Sequence, residues 1–348
     1  MNNTNYPLVS ILVPVFQVEK YIERCAESIF TQTYNNCEFV FVDDGCTDSS
    51  IVLLEKIIDK YPCHKGKITI KHHQQNRGLA ATRNTAIESC HGDFVIHVDS
   101  DDWLEPTAIE SLVQRQQETE ADIVFTRGYY RHKEEIIKVN CRGWLPEKEP
   151  LLTNLLQDKA TISIWSKLIK RRLYTENVIR CDERGSYYED FQVLPRLIYW
   201  SKKIACLDDY IYHYERSNPN SIVTNIPHSI EIQKQGLLSI QVVCDFFHDK
   251  EREYFDLVRQ FHFLYLYRML NTNCRYRNKE GYNDFLYLLL QSERKDWKLI
   301  GWDNLLKRYI DHNYYLKILF LISRQIKQKA DVMIKRMLFT TRSTRRII

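Results

Sequence analysis

The sequence predicts an α/β fold: a mostly parallel sheet flanked by helices, followed by a mainly helical C-terminal region. Three observations predict it. Between residues 8 and 127, apolar runs of strand length alternate with stretches of helical periodicity. Those strand-length runs are continuously apolar, as strands covered on both faces are. The runs stop at Pro14, at Asp43 and Asp44, and ahead of Asp99, Asp101 and Asp102, so acids collect at their ends. Ligands of open parallel sheets bind outside such carboxyl ends.

In order, residues 8–15 read as a buried strand and 19–31 as a helix with Ile22, Cys25, Ala26 and Ile29 on one face. Residues 38–42 form a second strand that runs into the turn Asp43-Asp44-Gly45. Thr47, Asp48 and Ser49 offer N-caps for a helix to about Tyr61. A short strand at 68–71 precedes a helix at 79–90, stopped by Gly92. Residues 94–98 are a strand, Pro106 opens a helix to about Glu118, and 122–127 are a further strand. After Gly128 the rhythm changes. Residues 129–139 read as a polar hairpin and 161–174 as weakly helical around Trp165. Residues 187–200 are a stronger helix carrying Phe191, Leu194, Leu197 and Ile198, and the chain is helical from about Ser229. This divides the chain into 1–128, 129–228 and 229–348.

Composition narrows the class. At roughly 150 residues per domain, 348 residues suit about two domains. With 44% apolar and 27% charged residues, disordered and low-complexity classes are excluded. The 10 Cys include no Cys-x-x-C pair and no Cys/His set at zinc spacing. Together with the polar stretch Met1 to Pro7, this leads us to expect a reducing cytosol and no secretory leader. No run of 18 apolar residues occurs, so no transmembrane helix is expected. The net charge of +4 is uneven. From Asn313 onward nine Lys or Arg stand against Asp331, or +8, which leaves −4 for the rest. An acidic body argues against a nucleic-acid groove, and a basic tail suits an anionic membrane face.

The densest chemistry is Val98-Asp99-Ser100-Asp101-Asp102-Trp103, directly after a strand. Two carboxylates two residues apart on an extended rim suit one hard divalent cation, Mg2+ or Mn2+, which bridges to phosphate oxygens. Acids ahead of Pro106 also serve as helix caps, but three are more than a cap needs. The Asp43-Asp44-Gly45 turn reads two ways. Asp44 can accept from a base or ribose, and the segment can be an Asx turn with Asp48 capping the next helix. Asn76 to Asn84 opens a helix whose free N–H groups face the same rim. There Arg77 and Arg83 either hold phosphate or are solvated.

Together these blocks resemble the family 2 glycosyltransferases, enzymes of the GT-A fold. The resemblance runs from Val9 to about Arg127. It comprises Val9-Ser10-Ile11-Leu12-Val13-Pro14-Val15-Phe16, Ser28-Ile29-Phe30-Thr31-Gln32-Thr33-Tyr34, the Asp43-Asp44-Gly45 turn, the Asn76 to Asn84 block, and Gly92-Asp93-Phe94-Val95 leading to the acids. It implies an inverting transferase that uses a UDP-sugar with Mg2+ or Mn2+. By that likeness Pro14 and Phe16 line the base pocket, Asp44 binds the uracil edge and Asp43 supports the turn. Arg83 lies near the diphosphate and Ser100 joins the donor-binding group. Asp99 and Asp101 are the metal pair, with Asp102 as a third acid. Phe16-Gln17 stands where the family usually has Tyr-Asn, and Cys46 where it usually has Ser. Phe16 can stack on a base but offers no hydroxyl.

Tyr187-Tyr188-Glu189-Asp190-Phe191 resembles the family's Glu-Asp motif at a helix start, which makes Asp190 the catalytic base. First-turn acids that favour the helix dipole are the plainer reading. Trp165-Ser166-Lys167, and His213-Tyr214 with Ser221, also resemble recurring family features. Trp165 reads as acceptor wall or core packing and His213 as a structural histidine.

The implied function is sugar transfer to a saccharide or lipid-linked acceptor in surface polysaccharide synthesis. A nucleotidyltransferase making nucleotide sugars would carry a Gly-rich loop after the first strand, where this chain has Val15-Phe16-Gln17-Val18-Glu19. A non-catalytic nucleotide-sugar-binding or scaffold protein has no need of Asp99, Asp101 and Asp190 together. In the tail, Ile318, Leu319, Ile322, Ile326 and Val332 to Leu338 alternate with basic residues. This suits either a helix lying in a membrane interface or one packed on the body. A cytoplasmic protein, peripheral on the inner face of the cell membrane, is the expectation.

Overall fold

The computed structural model describes residues 6–132, 135–139, 142–219 and 229–291. Ser221 and the basic tail lie outside the described residues. The chain divides into two compact units, Met1–His262 and Phe263–Ile348.

In the first unit, β1 (Val9–Val15), β2 (Cys37–Asp43), β3 (Ile68–His72) and β4 (Phe94–His97) run parallel in the order β3-β2-β1-β4. Every residue of β1 is buried. Its one hydroxyl is accounted for: Ser10 donates to Glu38 at 2.6 Å and accepts the Gly92 N–H at 2.9 Å. The covering helices are α1 (Ile22–Phe30), α2 (Ser50–Lys60), α3 (Leu79–Ser89) and α4 (Ala108–Thr119). α1 buries Ile22, Cys25, Ala26 and Ile29, the face its periodicity predicts. Ser49 is the N-cap of α2 and makes no side-chain cap bond; Asp48 before it accepts the Ser50 N–H at 3.0 Å. α3 is buried nearly all round. Ala80, Ala81 and Ala86 are small enough for close packing, and Thr82, Arg83 and Asn84 are buried with them.

Beyond β4 the sheet becomes mixed. β5 (Trp103–Leu104), β6 (Ile123–His132), β7 (Glu135–Val139), β8 (Lys167–Lys170) and β9 (Ile204–Glu215) continue it as β4-β8-β6-β9-β5. β8 lies antiparallel between β4 and β6, β9 runs parallel to β6, and β7 closes the expected hairpin with β6.

Several elements depart from the sequence reading, among them a helix over Lys148–Leu156 that it left unassigned. Residues 161–174 are not a weak helix. They hold β8 and the short α6 (Arg172–Glu176), because burial between two strands overrides local propensity. β9 has no apolar run to announce it, since the exposed Asp208 and Asp209 interrupt it near a register shift against β6. β5 is too short to carry a pattern.

Helices close the unit: α5 (Lys148–Leu156), α7 (Glu189–Trp200), α8 (Ile230–His248) and the start of α9 (Arg252–Arg275). Ser229 caps α8 by accepting the Ile232 N–H at 3.2 Å. In the second unit α9 continues and α10 (Lys279–Gln291) follows, with Tyr282, Phe285, Leu286 and Leu289 buried on one stripe. No helix among the described residues is long and apolar enough to cross a membrane.

Candidate active site

β4 pairs with β1 only as far as His97 opposite Leu12, while β1 follows β2 on to Val15 opposite Asp43. The strands part there and leave a crevice at their carboxyl ends. Pro14 lies in β1 past the last β4 pairing, opposite Val42, so it breaks no ladder bond on that side. Phe16 follows, 42% exposed at the rim.

Asp43 accepts the Cys46 N–H at 2.8 Å and faces His72 Nδ1 at 3.0 Å. Burial opposes its charge, but these donors hold its carboxyl below the ordinary range. It closes the turn through the backbone N–H three residues on. Gly45 has φ +73, and a Cβ there would sit 2.8 Å from the Asn76 nitrogen. Asp44 is buried and reaches across that close approach. It accepts the Arg77 N–H at 2.9 Å, the Gly78 N–H at 2.8 Å and His73 Nδ1 at 2.6 Å. His73 is itself held by Thr85 at 2.9 Å. Asp44 thus ties the end of β2 to the first turn of α3. With three donors bound, a carboxylate keeps about one lone-pair site.

The loop after β4 carries the four residues singled out from the sequence. Asp99 is partly exposed, Ser100 is buried, Asp101 is partly exposed and Asp102 is fully buried. Asp101 Oδ2 accepts the neutral Asn218 amide at 2.8 Å. Burial pushes its carboxyl up to about 6, with Asp99 adding and Asn218 opposing. Asp102 does not face the crevice as a ligand. Its Oδ2 accepts the Tyr212 hydroxyl at 2.6 Å and its Oδ1 the Glu215 N–H at 2.7 Å. Burial, then Asp101 and Asp99, raise its carboxyl well above the ordinary value.

Among the described residues no three His, Cys, Asp or Glu side chains cluster as a metal cage. The donors present suit a hard cation all the same. Asp99 and Asp101 offer carboxylate oxygens, and Asp101 meets a neutral amide rather than a cation. Such a two-carboxylate set would suit a hard divalent cation that completes its coordination with ligand or water oxygens.

Glu189 and Asp190 open α7. Tyr188 before them is left-handed, φ +65, an uncommon conformation for a non-glycine residue. Its neighbourhood is held from outside: Ser239 on α8 donates to the Tyr187 carbonyl at 2.7 Å. Both acids face Arg83. Arg83 Nε donates to Glu189 Oε1 at 3.2 Å, Nη2 donates to Asp99 Oδ1 at 3.0 Å, and Nη2 stands 3.7 Å from Asp190 Oδ1. Burial works against the guanidinium charge, but Asp99, Asp190 and Glu189 outweigh it and raise its pKa well above the usual value. Burial and Asp190 push the Glu189 carboxyl up to about 8 against the pull of Arg83. Burial also raises Asp190, opposed by Arg83. Asp190 Oδ1 and Arg83 Nη1 are buried without hydrogen-bond partners among the described residues.

An aromatic layer lines the far side of the acid loop from the β2–β3 half. Trp165 stacks on Tyr212 at 4.7 Å and on Tyr214 at 5.6 Å, both at 18°. Lys167, fully buried, donates from Nζ to the Trp165 carbonyl at 3.0 Å and sits over the Trp144 ring at 4.3 Å. His213 is structural. Arg131 donates to its Nδ1 from Nε and Nη2, at 2.9 and 2.8 Å, so its own proton lies on Nε2 toward Glu105 at 2.6 Å. Sequence reasoning named neither Tyr212 nor Asn218, and it gave Arg83 no carboxylate partner. Lys167 was named as part of the Trp165 motif, without its burial.

The family model described as "Glycosyl transferase family 2" matches residues 10–178. Glycosyltransferase GlyG of Streptococcus pneumoniae is 30% identical over 221 residues, 60% of this chain and 71% of GlyG. The chain belongs to glycosyl transferase family 2. Two further members of that family context are matched over less of their length. The uncharacterized glycosyltransferase EpsJ of Bacillus subtilis is 30% identical over 229 residues, 64% of either chain. Glycosyltransferase GlyA of S. pneumoniae is 32% identical over 217 residues, 59% of this chain but 30% of GlyA. The chain therefore spans less than two thirds of both. In fold it is similar to S. aureus TarS 1-349, solved in complex with UDP-GlcNAc, with TM-score 0.57 at 17% identity over 80% of this chain and 90% of that one. It is also similar to the mannosyltransferase PcManGT from Pyrobaculum calidifontis, solved with GDP-Man and Mn2+, with TM-score 0.53 at 15% identity over 94% and 88%. At these identities the likeness is one of fold, the GT-A arrangement that the sequence motifs imply.

Proposed function

We propose that this chain is an inverting glycosyltransferase. It moves a sugar from a UDP-sugar to a saccharide or lipid-linked saccharide acceptor, in surface polysaccharide biosynthesis. The observation that carries this reading is the buried Arg83, which joins Asp99 to Glu189 and Asp190 while Asp190 Oδ1, 3.7 Å from the guanidinium, accepts no hydrogen bond among the described residues. A buried carboxylate oxygen without a hydrogen bond is costly and calls for an explanation. An acceptor hydroxyl is a donor that satisfies it.

In this reading residues 1–128 hold the donor, 129–228 face the acceptor, and 229–348 form the helical region with the basic tail. Pro14 and Phe16 border the base. Asp44 offers its remaining lone pair to the uracil edge and Asp43 keeps the turn in shape. Ser100 and the unpartnered Arg83 Nη1 face the diphosphate. A divalent cation on Asp99 and Asp101 neutralises charge on the leaving diphosphate when it is bound. Asp190 accepts the acceptor's hydroxyl proton as that oxygen bonds to the anomeric carbon. The bond from that carbon to the diphosphate oxygen breaks, and UDP leaves with the electron pair. One displacement inverts the centre through an oxocarbenium-like transition state, with a single base serving the attacking hydroxyl.

The test is UDP release by the full chain across a panel of UDP-sugars, with Mn2+ or with EDTA, for wild type and Asp101→Ala. We expect Asp101→Ala to fold, to lose metal-dependent UDP binding and to lose turnover. Wild-type turnover by this variant with Mn2+ present would remove the metal assignment.

A further inference from the structure

We propose that Tyr212 is a positioning residue for the metal site: its hydroxyl, held between the Asp99 backbone N–H and the Asp102 carboxylate, fixes the loop so that Asp99 and Asp101 face one ion. This rests on the metal-dependent reading above.

The Tyr212 hydroxyl accepts the Asp99 N–H at 3.1 Å and donates to Asp102 Oδ2 at 2.6 Å. It thus spans the first and last acids of the loop from a strand 113 residues away in sequence. The ring has no room to drift. It is fully buried and stacked on Trp165 at 4.7 Å. The neighbouring strand leaves no slack, since a Cβ on Gly128 would stand 3.0 Å from the Tyr212 carbonyl oxygen and 3.4 Å from the Trp165 ring. Asp102 spends its other oxygen on the Glu215 N–H at 2.7 Å, so the third acid is a strut to β9. The loop closes on itself through the Asp102 N–H and the Asp99 carbonyl at 2.9 Å. Arg24 holds the Asp101 carbonyl at 3.0 Å and Asn218 its side chain. Within this frame the Asp99 carbonyl meets the Asp102 N–H and the Cys25 thiol, and the Tyr212 hydroxyl takes the Asp99 N–H. Groups that orient metal-binding side chains typically matter by roughly 10- to 100-fold in metal affinity.

Tyr212→Phe keeps the ring, the burial and the stack and removes the hydroxyl alone. The experiment measures Mn2+ binding to the full chain with UDP present, by water-proton relaxation, and UDP binding in EDTA, by calorimetry. We expect the apparent Kd for Mn2+ to rise by about 10-fold or more, with UDP binding in EDTA unchanged. A merely structural tyrosine would shift thermal stability, or both affinities alike, and that outcome overturns the proposal. Should Tyr212→Phe fail to fold, Asp102→Asn serves. Its single carbonyl oxygen can meet one of the two donors, so a smaller rise in the Mn2+ Kd is expected, and an unchanged Kd overturns the clamp. If wild type binds no Mn2+ with UDP, the metal reading falls and the clamp with it. If wild type binds and Tyr212→Phe binds equally, the clamp alone falls.

Discussion

Arg83 donates to Asp99 at 3.0 Å with its side chain only 4% exposed. The same nitrogen stands 3.7 Å from Asp190, so one guanidinium joins the acid loop after β4 to the start of α7. Three carboxyl groups surround this one buried cation, and burial with the Asp190 charge lifts the Glu189 carboxyl to about 8. Such crowding fits a site that is to receive a divalent cation and an acceptor. It would be a poor solution for a core whose only task was stability, since burying ions rarely repays their desolvation.

Replacing Arg83 separates charge from geometry. Arg83→Lys keeps the cation, but one ammonium cannot reproduce the two-directional fork to Glu189 and Asp99. We expect UDP release to fall on the order of 100-fold with the fold retained. Arg83→Ala strips the buried Glu189 and the half-buried Asp99 and Asp190 of their cation, which costs about 3–5 kcal/mol of stability. Chemical denaturation read beside turnover checks both. Wild-type turnover in Arg83→Lys would show that the bridge has no part in the reaction.

Asp190→Asn removes proton acceptance while leaving shape. Transfer should drop by roughly 100- to 10,000-fold, the usual range for a general base, with UDP binding kept. Glu189→Gln retains a carbonyl oxygen for Arg83 Nε and should lose far less. Equal losses in the two variants, measured as initial rates, would move the base to Glu189.

The first half was legible because its strands are covered on both faces and stop at polar residues. Val9 to Val15 and Phe94 to Val98 announce themselves, and the acids follow at once. The half after Gly128 was not, because its contacts are long-range and its strands are half-polar. Asp208 and Asp209 hide β9, and with it Tyr212, which reaches back to Asp99. A fully buried lysine such as Lys167 runs against the usual rule that charges stay outside. Its place against Trp144 and the Trp165 carbonyl exists only once β8 is threaded between β4 and β6. The pairing of Arg83 with Glu189 joins two segments that look solvated when each is read alone.

Asp122 offers a pH test away from the chemistry. Burial alone would raise its carboxyl, but Lys170, the Lys202 N–H and Arg172 outweigh this and hold it below the ordinary value. Lys170 donates at 2.8 Å and the Lys202 N–H at 2.7 Å, tying β6 to β8 and β9. A depressed folded pKa means stability that is present above the unfolded value, about 3.9, and is lost as pH falls through the folded one. Asp122→Asn should therefore cost on the order of 2 kcal/mol at pH 6. The gap from wild type should shrink as pH drops below about 4. Thermal melts of both proteins across that range check it, and a gap that widened in acid would refute the assignment.

The basic tail lies outside the described residues, but its charge makes a prediction. Residues 314–348 carry +8 against −4 for the rest, so attraction to an anionic surface should reside almost wholly there. Each basic residue near such a surface contributes about 1 kcal/mol, and the apolar stripe adds to this. Several together suffice for reversible attachment. Binding should weaken at high salt, where a Debye length of about 3 Å at 1 M screens the charges. We expect the full chain to sediment with phosphatidylserine vesicles at low salt and to be released at high salt. The chain without residues 314–348 should stay in the supernatant and still hydrolyse donor. If the truncated chain pellets as well, the anchor lies elsewhere. If the full chain never pellets, the tail has no membrane role, and its basic face is simply solvated.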